Sequence, residues 1–292
     1  MSTESWGSTQ VSLSGHVLWG NSAVRFVFVD EAGTSENEPK TVVVGIIVHA
    51  DEQLMFAERA IHEALEAVPN EFRSGYVFHA TDVWGSPKYR DGSWPMTNRL
   101  SLLKTMMGLP RRLRTHISMG MVRRDADVGW HEGVMGGISK AQMQHYMAFS
   151  FCVGEADCYI RTKAKLNEVG TVVAEDVPEM RQVLARIPKI MRMAPIVSPV
   201  GALLPTKAEQ EAGYIKQPGE LRVSRIRNSI HFVPKDAEPL LYLADACAFG
   251  FRRYFSGQSF GDEFVEAILG KQLVKEDFAG PGSMNLHEFV DD

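Results

Sequence analysis

Asp245 lies inside Leu240-Leu241-Tyr242-Leu243-Ala244-Asp245-Ala246-Cys247-Ala248-Phe249-Gly250-Phe251, a run that reads as a buried helix. An ionised carboxylate taken out of water must be paired, hydrogen-bonded or bound to metal. A companion is sought far upstream, where Phe26-Val27-Phe28-Val29-Asp30-Glu31-Ala32-Gly33 forms an apolar run ending on two acids and a turn. A third place is Gly170-Thr171-Val172-Val173-Ala174-Glu175-Asp176, a short apolar segment that also ends on acids. Asp30, Glu175 and Asp245 are thus delivered by separate apolar elements, with Glu31 and Asp176 as neighbouring candidates. Such oxygen donors suit hard divalent ions, Mg²⁺ or Mn²⁺. A pair of these ions roughly 3.5–4 Å apart can activate water and stabilise the leaving oxygen of a phosphodiester. Two further candidates come from the loop-like segment Phe78-His79-Ala80-Thr81-Asp82: His79 for proton transfer, and Asp82.

The elements that must position these groups follow from periodicity. Ala23 to Asp30 reads as a strand apolar on both faces, with Phe26, Phe28 and Asp30 on one side and Val27, Val29 and Glu31 on the other. Thr41 to Val48 reads as a second strand, and the short connection predicts an antiparallel hairpin. Helical spacing of Leu54, Ala57, Ile61, Leu65 and Val68 predicts a helix over about 51–68. The Gly/Pro/Trp-rich stretch from 78 to 95 reads as loop. Further helices are expected over about 96–108, 139–165 and 178–192, the last with Pro178 in its first turn. Strands are expected over 113–122, 170–176 and 226–233. Residues 193–221, rich in proline, read as a long loop insertion.

The expected architecture is α/β, three layers with a mixed central sheet flanked by helices. The organisation expected is a flexible arm over 1–22, a single domain over 23–270 and a tail over 271–292. With 292 residues, 45% of them hydrophobic, the chain can bury a full core. A net charge of -5 carries no signature of a dedicated nucleic-acid binder, although Arg111-Arg112-Leu113-Arg114, Arg123-Arg124 and Arg222 through Arg227 are local phosphate-contact candidates. Cys152, Cys158 and Cys247 lack Cys-x-x-Cys spacing, which points to a reducing compartment and away from zinc. His131-Glu132 lacks the second histidine of a zinc-protease helix. No apolar run reaches the roughly 18 residues of a membrane span, and the first 22 residues lack the pattern of a secretory signal. A cytoplasmic protein is expected, with no membrane partner and no reading of its oligomeric state.

Three of these segments carry a resemblance. Asp30-Glu31-Ala32-Gly33 resembles the opening motif of the uncharacterised family named "domain of unknown function 3800". Phe232-Val233-Pro234-Lys235 leading into Tyr242-Leu243-Ala244-Asp245-Ala246 resembles its closing motif, and Phe78-His79-Ala80-Thr81-Asp82 is similar to a His-Ala segment there. The likeness spans about residues 24–255. It departs where Tyr242 stands in place of a frequent glutamine and where a serine near Pro234 is missing. The resemblance implies a ribonuclease H-like fold whose acidic residues bind divalent metal. The expected function is therefore a metal-dependent nuclease or phosphodiesterase acting on nucleic acid. The alternative is a non-catalytic module on the same fold that binds nucleic acid or a protein partner. A phosphatase for a small phosphorylated molecule is a third expectation.

Overall fold

The computed structural model describes residues 24–35, 37–89, 92–126, 137–164, 168–193, 196–197, 220–221, 223–271 and 282–289. The expected arm over 1–22 and His131-Glu132 lie outside these residues, as does most of 193–221. The chain opens with β1 (Val24–Ala32) and β2 (Lys40–His49), then α1 (Leu54–Leu65), α2 (Asn70–Arg73), α3 (Ala80–Gly85) and α4 (Met96–Leu113). It continues through β3 (His116–Arg123), α5 (Lys140–Thr162), β4 (Val169–Glu175), α6 (Pro178–Leu184) and α7 (Ile187–Met193). The last elements are β5 (Ile196–Val197), β6 (Glu220–Leu221), β7 (Ile226–Val233), α8 (Leu241–Phe255), α9 (Gly261–Leu269) and β8 (Gly282–His287).

Six strands form one mixed sheet in the order β7-β4-β1-β2-β3-β8. β1, β2, β3 and β8 pair antiparallel, whereas β4 runs parallel to β1 and β7 parallel to β4. The predicted hairpin is the β1–β2 pair. The alternation read in β1 sorts its side chains between two cores, as the period of two requires. Phe28 packs with α1, α4, α8 and α9 on one face, and Phe26 leans on the same cluster. Val27 and Val29 join α5, α6 and α7 on the other. Fully burying each such side chain contributes about 1.5–3 kcal/mol, so a one-residue slip of β1 would exchange both cores at once.

Several expected boundaries move. The segment read as loop over 78–95 contains α3 and a short 3-10 turn, Pro87–Tyr89. The expected helix over 178–192 is two helices, because Pro188 lacks the N–H needed to continue the ladder from α6. The segment read as a C-terminal tail supplies β8, which completes the sheet edge beside β3. A capping box of Ser139 and Gln142 starts α5. Asp157 on α5 then fixes the start of β7, accepting the backbone N–H groups of Ser224, Arg225 and Ile226 at 2.6–3.0 Å. Among the described residues no helix is long and apolar enough to cross a membrane.

Candidate functional site: a carboxylate cluster around a buried lysine

Strand register brings the acids together. Val29 is level with Ala174 in the parallel β1–β4 pair, so Asp30 and Glu175 follow at adjoining strand ends. Glu175 is in turn level with Val233 of β7. Beyond Val233 the chain turns at Pro234 into a short 3-10 helix, Lys235–Ala237, before α8 begins. α8 packs beneath β1, and its Asp245 faces the same strand ends.

At this meeting point lies the Lys235 ammonium. Its Nζ is 2.6 Å from Asp30 Oδ2, 3.1 Å from Asp245 Oδ2 and 3.2 Å from Glu175 Oε2. The buried helical carboxylate therefore has its partner, and that partner is a lysine at a strand end. Arg252, two turns along α8, pairs with Glu38 instead. Asp30, Asp245 and Lys235 are each buried. Asp30 Oδ1 also accepts the Glu31 N–H at 2.8 Å, and Asp245 Oδ2 accepts the Ala80 N–H at 3.0 Å. The latter bond explains why the His-Ala segment lies against this site: the first turn of α3 holds Asp245 through the backbone.

The other predicted residues divide. His79 stands at the start of α3 with Nδ1 4.0 Å from Asp245 Oδ2 and a side chain 40% exposed, open to solvent beside the cluster. Glu31 points to the α5 side of the sheet, where its Oε2 is 3.7 Å from His145 Nε2. Asp176 turns away and pairs with Arg181 at 3.2 Å. Asp82 is exposed on α3. Arg124, a phosphate-contact candidate, is engaged within the protein: it donates to the carbonyls of Gly33, Ser35 and Glu38 and to Gln144. It thereby ties down the turn that follows Asp30.

Sequence reasoning missed Lys235 and His145. Lys235 had a signal, since a lysine just past an apolar strand is a reachable counter-charge for a buried acid. His145 had none, being one polar position in a long helix. It is buried, and its Nε2 has no hydrogen-bond partner among the described residues.

Electrostatics follow from this crowding. Burial raises the Asp30 carboxyl well above the ordinary carboxylate range; the Lys235 ammonium opposes the rise, and Asp245 and Glu31 add to it. Glu31 is pushed up to about 7, first by burial and then by Glu175. Burial works against charge on Lys235, yet Asp30 and Asp245 more than offset it and hold its pKa above the ordinary lysine value. Burial lowers His145 to about 4, so its ring is neutral at physiological pH. Three carboxylates thus share one ammonium, and Glu31, on the other face of the sheet, still feels the charges of Glu175 and Lys235.

Among the described residues no group of three or more His, Cys, Asp or Glu side chains stands in a metal-holding arrangement. The space shared by Asp30, Glu175 and Asp245 is filled by the Lys235 head. Comparison with protein-family models, curated proteins and solved structures finds no match to this chain.

Proposed function

We propose that this protein is a divalent-metal-dependent phosphodiester hydrolase acting on nucleic acid, built on a ribonuclease H-like fold. The observation that carries the proposal is the convergence of Asp30, Glu175 and Asp245, from two strands and a helix, on a single cation, the Lys235 ammonium. Acids at adjoining ends of central strands, in a mixed sheet covered by helices on both faces, support the fold reading. The donors are hard carboxylate oxygens, the chemistry that Mg²⁺ and Mn²⁺ select. Three carboxylates share one ammonium, a concentration of acceptor oxygens that such an ion would also satisfy.

In this reading Asp30, Glu175 and Asp245 would hold the ion, which would supply concentrated positive charge for phosphodiester cleavage. The chain's own groups do the rest. The Ala80 N–H and the β1–β4 register keep Asp245, Asp30 and Glu175 on rigid elements. His79, solvent-accessible beside Asp245, delivers a proton to the leaving oxygen.

The test is cleavage of plasmid DNA, single-stranded DNA and RNA in Mg²⁺ or Mn²⁺ by wild type, Asp30→Asn and Asp245→Asn. Each variant is expected to lose at least about 100-fold in rate, the scale lost with one group that stabilises transition-state charge. Equal rates in all three proteins would remove these acids from the chemistry. A second reading, a non-catalytic module binding nucleic acid or a protein, draws on the ammonium that already fills the shared space. Calorimetry that detects no Mn²⁺ binding at millimolar concentration would favour it.

A further inference from the structure

We propose that Lys235 is a resident counter-cation that sets which ions the carboxylate site accepts, so that a divalent ion enters by displacing the ammonium. The inference rests on the cation-site reading above and goes beyond it. Three carboxylates from three elements touch one Nζ at 2.6–3.2 Å, and the lysine side chain is 7% exposed. The ammonium therefore occupies the position a metal ion would need, and both cannot be held there together. Lys235 can yield because its head sits on a flexible four-carbon stem. Its backbone belongs to a 3-10 turn anchored by Pro234 and need not move.

The charges decide what can displace it. A monovalent ion would replace one positive charge with one positive charge, and would forfeit three short charge-assisted contacts. A divalent ion adds a second charge among three carboxylates that share a single ammonium. Lys235 thus excludes Na⁺ and K⁺, weakens the affinity for Mg²⁺ and Mn²⁺, and keeps the acids paired when no metal is bound.

The experiment measures Mn²⁺ binding by calorimetry, and melting temperature in EDTA and in Mn²⁺, for wild type, Lys235→Met, Lys235→Gln and Lys235→Arg. The two neutral variants are expected to bind Mn²⁺ at least about 10-fold tighter than wild type, because no ammonium must be expelled. In EDTA their melting temperature should fall by about 5–10 °C, since buried acids lose their counter-charge. Mn²⁺ should restore more of it than it adds to wild type. Lys235→Arg keeps the charge and should bind no tighter than wild type. Should the neutral variants fold only with Mn²⁺ present, the proposal is supported; failure to fold even then would overturn it. If wild type binds Mn²⁺ and the neutral variants bind it equally or more weakly, Lys235 is no competitor, and the metal-site reading survives alone. If neither wild type nor the neutral variants bind Mn²⁺, both readings fall.

Discussion

Replacing Glu31 with glutamine should stabilise the protein relative to wild type by an amount that grows as pH rises. The folded-state carboxyl of Glu31 titrates at about 7, against an ordinary value of 4.5. Between those values the folded protein holds a proton that the unfolded chain has released. The contribution of this group to stability is therefore full below pH 4.5 and is lost as pH rises through about 7. At roughly 1.36 kcal/mol per pH unit, the loss amounts to about 3 kcal/mol. The side chain is only 17% exposed, so solvent screens little of it. Glutamine cannot ionise, and its amide can donate to the orphaned His145 Nε2. Urea denaturation followed by tryptophan fluorescence, in EDTA at pH 4.5 through 8.5, measures the effect. Wild type and Glu31→Gln should be about equally stable at the acid end and differ by about 3 kcal/mol in favour of the variant at the alkaline end. Asp30 is raised in the same direction, so a shallower decline should persist in the variant. A difference that fails to grow with pH, or that favours wild type at pH 8.5, would refute the idea that Glu31 is strained by burial and by its acidic neighbours.

Two structural predictions concern the elements that place the site. At Gly120 of β3 an added Cβ would meet the Ala148 carbonyl oxygen at 1.9 Å and the Cys152 nitrogen at 2.7 Å, both in the backbone of α5. Gly120→Ala should force α5 away from the sheet and cost at least about 2–3 kcal/mol, read as a lower urea midpoint. Asp157→Asn removes a charged acceptor from three N–H groups at the start of β7. A loss of about 2–4 kcal/mol is expected by thermal melting; an unchanged melting temperature would show that the anchor contributes nothing.

Much of the framework is legible in sequence because side-chain period reports local geometry directly. The apolar alternation of β1 and β2, the helical spacing of α1 and the long apolar side of α5 each depend on neighbours within a few residues. Elements whose existence depends on distant packing were not legible. α3 is six residues long and is held in place by Asp245, through a bond that joins residues 165 positions apart. β8 becomes a strand because β3 offers it an unpaired edge.

The candidate site divides along the same line. Sequence by itself determined that Asp245 must have a partner, because an ionised carboxylate in an apolar helix is too costly to leave alone. It also placed Asp30 and Glu175 at the ends of apolar strands. Only the tertiary structure decided that these acids meet, since the parallel register of β1 with β4 is set by two opposed cores rather than by either strand. Only the tertiary structure, too, decided that their partner is Lys235, 205 residues from Asp30. Its place just past β7 marks Lys235 as a reachable counter-charge, but a stem long enough to reach several places leaves open in sequence which acids it will serve.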